Sequence, residues 1–146
     1  PRKEGFMSME EKQNSQTFLD FNHSTFNPST REDIVEIIRD CYKKNIPLEI
    51  YAEYENWRRV RDFEGFGGWI HYTLLSGIRY VLVKDELLEM RLLPLNNAQV
   101  IAKVPKHNIV ILDQCEKDWC RIIDDGYKGW VSKNGIWGVY KKELKN

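Results

Sequence analysis

The side chains of this sequence that could do covalent or metal chemistry are few. Three cysteines, Cys41, Cys115 and Cys120, and three histidines, His23, His71 and His107, supply every thiol and imidazole. Zinc sites draw on closely spaced Cys and His pairs, and no Cys-x-x-Cys with matching histidines occurs, so neither a metal nor another cofactor is expected. A cysteine nucleophile needs an imidazole within hydrogen-bond reach, and no nucleophile signature surrounds any of the three. His107 sits in the turn-like stretch Pro105-Lys106-His107-Asn108, and His71 follows Trp69-Ile70 at a strand end. Both read as plain surface residues, and no catalytic residue is expected. A two-residue turn at Lys117-Asp118 would set Cys115 opposite Cys120 in a non-hydrogen-bonded pair, with Cα atoms about 4.5 Å apart and within disulfide range. Two readings stay open: a hairpin disulfide, or two reduced cysteines packing as small hydrophobes. Cys41 would then be unpaired and buried.

The aromatic residues carry more information. Tyr51, Tyr54, Trp57, Trp69 and Tyr72 form one set, and Trp119, Tyr127, Trp130, Trp137 and Tyr140 a second. Small domains cannot bury so many large rings completely, and Trp and Tyr beside Arg are the residue types that dominate binding hot spots. The candidate ligand-binding residues are Tyr54, Trp57, Arg59 and Tyr72 in the first set, and Trp119, Arg121 and Tyr127 in the second. Trp69 and Trp130, each after a Gly at the start of a strand, read as packing residues. For Trp57 and Trp119 a partner surface and burial against the other set are equally open. Arg58, Arg59 and Arg61 form a short basic cluster that reads as solvated, and Asp62 and Glu64 beside it argue against an anion site.

What positions these residues is an internal repeat. Asn45–Ile50, Glu55–Val60 and Gly68-Trp69-Ile70 have counterparts in His107–Leu112, Lys117–Ile122 and Gly129-Trp130-Val131. The spacing from Trp57 to Trp119 is 62 residues and that from Trp69 to Trp130 is 61, so the copies differ by one residue in a turn. Runs rich in Ile, Val, Trp and Tyr, broken by Glu-Asn, Lys-Asp, Glu-Gly and Asp-Asp-Gly, read as short strands of a small barrel. On a regular strand Val60 and Ile122 face away from Trp57 and Trp119, whereas Arg59 and Arg121 share the tryptophan side.

Composition narrows the classes. The chain has 146 residues, 42% hydrophobic and 12% aromatic, enough to fold as one ordinary domain or two small ones. Lys plus Arg and Asp plus Glu are both 22, and this zero net charge makes nucleic acid a poor partner. No apolar run approaches the roughly 18 residues of a membrane span. The sequence starts at Pro1, which either removal of a signal peptide or trimming explains.

Residues 46 to 77, with Glu55-Asn56-Trp57-Arg58-Arg59-Val60 and Gly68-Trp69-Ile70, and residues 115 to 139, with Trp119-Cys120-Arg121-Ile122, Gly126-Tyr127-Lys128-Gly129-Trp130-Val131 and Ile136-Trp137-Gly138-Val139, resemble the bacterial Src-homology-3-like (SH3-like) domains. The resemblance is to the tandem form of secreted alphaproteobacterial proteins. It implies an all-β fold of two tandem SH3-like small β-barrels, a periplasmic or secreted location, and a non-catalytic binding module without cofactor. The implied partners are a peptide, peptidoglycan or an envelope protein. The alternative is a structural or assembly protein whose aromatics are buried between barrels or subunits; the oligomeric state is left open. The start departs from the family pattern, offering only Phe26-Asn27-Pro28-Ser29 where members have an Asn-Val-Arg-x-Gly-Pro type loop.

The expected organisation is a polar N-terminal arm over 1–20, a first barrel over 21–77 and a second over 78–146. One short helical insert is expected near the N-terminus, at 30–44: Ser29 and Glu32 make a capping box, and Ile34, Ile37, Ile38 and Cys41 form one apolar stripe. The repeat would instead align Ile38–Tyr42 with Val100–Val104, as a strand.

Overall fold

The computed structural model describes residues 5–9, 18–20 and 45–146. The chain divides into two compact units, Pro1–Ile78 and Arg79–Asn146. The described strands of the first are β1 (Gly5–Met9), β2 (Phe18–Asp20), β3 (Pro47–Tyr54), β4 (Trp57–Arg61), β5 (Gly67–His71) and β6 (Leu75–Ser76). They form one antiparallel sheet in the order β2-β5-β4-β3-β1-β6. The second unit has β7 (Tyr80–Val83), β8 (Leu87–Arg91), β9 (Val100–Pro105), β10 (Ile109–Cys115), β11 (Trp119–Asp124), β12 (Tyr127–Ser132) and β13 (Ile136–Trp137), in the order β13-β7-β10-β11-β12-β8-β9. Read back from β8, the second order reproduces the first strand for strand. The architecture is thus all-β, and the sequence repeat is a repeat of topology. The aligned counterpart of β9, residues 38–42, and the helical insert expected at 30–44 lie outside the described residues.

One expectation is corrected. The stretch expected to be a polar arm supplies β1, which lies between β3 and β6 with Met7 opposite Leu48 and Met9 opposite Leu75. Met9 is fully buried, as is Ser8, whose hydroxyl donates to the Ile78 carbonyl at 2.8 Å. Both strands that claim β1 are remote in sequence, so nothing local marks five residues among polar neighbours as a strand.

Alternation builds the two cores. On β10 Val110 and Leu112 point inward while Ile111 is exposed, and on β4 Val60 points inward between half-buried Arg59 and exposed Arg61. Met7, Met9, Leu48, Ile50, Val60, Ile70 and Leu75 make the first core. The second gathers twelve buried residues, among them Val81, Leu88, Met90, Leu112, Ile122 and Val131. Burying each large aliphatic side chain contributes about 1.5–3 kcal/mol, which offsets the ordering entropy of such short chains.

Irregularities repeat as well. Each long strand carries a bulge at the same place, with Tyr51 the extra residue of β3 and Asp113 that of β10. Asn45 and His107, equivalent in the repeat, are both left-handed, with φ of 71° and 73°. Each unit also has a 3-10 turn, Tyr72–Leu74 capped by His71 and Lys133–Gly135 capped by Ser132. In the second unit the chain end is strapped down by buried cations. The Arg79 guanidinium pairs with Glu143 and donates to the Gly138 carbonyl at 2.9 Å, and the Lys133 ammonium donates to the carbonyls of Lys141 and Glu143. Burial lowers the Lys133 pKa despite the opposing charges of Glu143 and Asp118.

Candidate functional site

The second unit carries a cleft of about 240 Å³. Strand β8 provides most of it through exposed Leu87 and Glu89, half-buried Arg91 and buried Leu88. Lys103 of β9 stands opposite Glu89, and Ser132 of β12 opposite Trp119, so register alone brings residues from four strands to one surface. Asp85 and Asn96 complete the wall from loops. Arg91 is committed within the wall, its guanidinium 2.8 Å from Glu89 and 2.8 Å from the Ala98 carbonyl. Among the described residues no ion pair engages Asp85 or Lys103, so the cleft offers a carboxylate, an ammonium and the half-buried indole of Trp119 together.

The turn that presents Trp119 is closed covalently. Cys115 and Cys120 face each other across the hairpin and form a disulfide with Cα atoms 4.0 Å apart. Of the two readings left open by the sequence, the structure has the bonded one. The equivalent register in the first unit is Glu53 opposite Arg58, an ion pair at 3.0 Å.

The first unit groups its aromatics differently. Trp57 meets His71 edge-on at 5.6 Å, and His71 stacks on Tyr72 at 5.1 Å. Tyr54 pairs with Trp57 across the hairpin, and the Arg58 guanidinium lies 5.8 Å from the Tyr72 ring. Arg58 is only 5% exposed, which corrects the expectation of a solvated basic cluster: it shares its strand face with Val60 and is held by Glu53 and the carbonyls of Glu55 and Trp57. Arg59 and Arg61 lie over the Tyr51 ring, at 5.2 and 4.5 Å. Burial raises the Tyr51 pKa, and the two guanidiniums oppose that rise.

The sequence of residues 28–77 and 84–138 matches the model of the bacterial SH3 domain, twice and over more than half of the chain. The chain belongs to the bacterial SH3 domain family. No curated protein sequence matches it. Among solved structures it is similar to NlpC2 from Trichomonas vaginalis, at 15% identity and a TM-score of 0.38 over 93% of this chain and 48% of that one. It is likewise similar to NlpC1 from Trichomonas vaginalis, at 14% identity and a TM-score of 0.39 over 94% of this chain and 46% of that one. The chain thus spans about half the length of these two proteins.

Within this tandem bacterial SH3 protein the candidate residues separate. Trp119 lines the cleft. Arg121 does not; it lies 5.6 Å from the Trp130 ring and pairs with Asp113 at 2.8 Å. Arg59 has the same role in the first copy, since Tyr51 and Asp113 are equivalent bulge residues. Tyr127 is 54% exposed at the opposite end of β12 from Ser132, outside the cleft. Trp57 and Tyr72 both contact His71, which sequence reasoning set aside, and Tyr54 stands opposite Trp57. The cleft residues Asp85, Glu89, Arg91 and Lys103 were missed. The alternation in Leu87-Leu88-Glu89-Met90-Arg91 was their one local signal.

Proposed function

We propose that the protein is a non-catalytic module that acts outside the cytoplasm and binds a short cell-wall peptide in the cleft of its second unit. The observation that carries this reading is the joining of Trp119 to charges of both signs, Asp85 and Lys103, in one open cleft. An extended peptide can lay an apolar group on the indole, set a carboxylate against Lys103 and an ammonium against Asp85, and leave its backbone to Ser132 and Asn96. Family membership supports a binding module, while fold alone never names a ligand. The Cys115–Cys120 bond supports the location, because disulfides persist in oxidising compartments, and it removes both thiols from nucleophilic chemistry.

The test is co-sedimentation with isolated peptidoglycan sacculi, using folded variants. An interfacial Trp anchor contributes about 2 kcal/mol, so Trp119→Ala weakens pelleting about 30-fold. Trp57→Ala, at a residue that belongs to the other unit and is not among those that line the cleft, leaves pelleting unchanged. If the wild-type protein stays in the supernatant at every concentration, the cell-wall reading falls and an envelope protein becomes the ligand to seek.

A further inference from the structure

The Cys115–Cys120 bond lies on the core side of the hairpin whose other side carries Trp119. Both cysteines are buried, at 2% and 0% exposure. Cys115 is fixed from two directions: it ends β10, and its main chain exchanges two hydrogen bonds with Lys145, Cys115 N donating at 2.7 Å and Lys145 N at 3.1 Å. Trp119 opens β11 directly after the turn. Its carbonyl accepts from Glu116 N at 2.8 Å, and on its other side Lys133 N donates to the Asp118 carbonyl at 3.0 Å. Main-chain bonds at a hairpin tip open locally at small cost, and a covalent tie at the adjacent residue suppresses that opening.

The geometry points to a positioning role for this disulfide: it carries the anchor at Cys115 through Cys120 to Trp119 and fixes the indole as a wall of the cleft. Closing the hairpin as such does not require it, because the first unit closes the same register with the Glu53–Arg58 ion pair. In the second unit this hairpin carries a tryptophan that lines the cleft, where a loose turn would blur the wall. The inference rests on the reading of that cleft as the ligand site, but the position of Trp119 can be read without any ligand.

The experiment uses the full chain labelled with 5-fluorotryptophan, whose fluorine spectrum contains five resonances, one for each Trp. Trp119→Phe assigns the relevant signal. Spectra of the oxidised protein are compared with those of protein reduced by a dithiol and of a Cys115→Val/Cys120→Val variant, in which two β-branched side chains fill the cross-strand site. The same samples are pelleted with sacculi. The expected result is that the Trp119 resonance shifts in both altered forms while the other four hold, and that pelleting drops to the level of Trp119→Ala. An unmoved Trp119 resonance overturns the proposal. So does a joint collapse of several resonances in both forms, which would make the bond a support of the whole barrel, and so does unchanged pelleting with a shifted signal. A shift of Trp119 alone, with no pelleting even of oxidised wild type, upholds the positioning role and removes the cell-wall reading.

Discussion

Equivalent positions in the two copies solve the same physical problem with different chemistry. The arginine two residues after the first tryptophan of each copy is taken up by the bulge residue of the neighbouring strand, Arg59 by the Tyr51 ring and Arg121 by the Asp113 carboxylate. Burial alone would raise the Asp113 pKa, but the Arg121 hydrogen bond, with Lys128, Arg121 and Lys145 nearby, outweighs it and holds the carboxyl below its usual range. A depressed folded pKa gives stability that is present above the unfolded value of about 3.9 and is lost as pH falls through the folded value. Asp113→Asn is therefore less stable than wild type at neutral pH, by under about 1 kcal/mol because the pair is partly solvated, and the difference closes below about pH 4. Urea unfolding at a series of pH values checks this; a gap that widens in acid would refute the assignment. Strand alternation made the shared face of Trp57 with Arg59 and of Trp119 with Arg121 legible in the sequence. It could not show that bulge residues would occupy those arginines, because a bulge leaves no mark in a run such as Ile109–Cys115.

Hairpins were the elements most legible in the sequence, since each joins neighbouring runs across a turn with its own composition. The cleft was far less so. It forms where β8 meets β12 through Trp130 opposite Arg91 and where β9 meets β8, and the first of these pairings joins segments widely separated in the chain. β1 was hidden for the same reason. Close backbone approach is another non-local demand, and it falls hardest on Gly67: a Cβ there would run into the carbonyl of Val60 on the neighbouring strand. Main chain inside a sheet cannot move aside as a flexible side chain can. Gly67→Ala should destabilise the first unit by about 2–4 kcal/mol. Thermal unfolding would show it as a lowered transition, and an unchanged midpoint would mean that β4 and β5 are not packed this closely. At Gly135 a Cβ would meet the ends of Leu88 and Asp85, both of which line the cleft, so the 3-10 turn helps to set the cleft floor.

At the scale of the molecule, two units with separate cores should unfold as two events. The disulfide belongs to the second unit and closes a very short loop, so loop-closure entropy limits its contribution to about 2 kcal/mol. Calorimetry with and without a dithiol reductant should show one transition lowered by roughly 10 °C and the other unmoved. A common shift of both would mean that the units are not energetically separate. The repeat made this tandem organisation readable from the tryptophan spacing, whereas the start of the first unit, at β1, became visible only through its partners.

The cleft of the second unit, bordered by Trp119, Asp85 and Lys103, is the proposed seat of a short peptide. The most direct measurement is a titration of isotopically labelled protein with a soluble peptidoglycan fragment that retains its peptide, followed through the backbone amide resonances. The expected shifts are confined to Asp85–Arg91, Asn96, Lys103, Trp119 and Ser132, and are abolished by Trp119→Ala. Saturable shifts centred instead on Trp57, His71 and Tyr72, with the second unit silent, would contradict this placement.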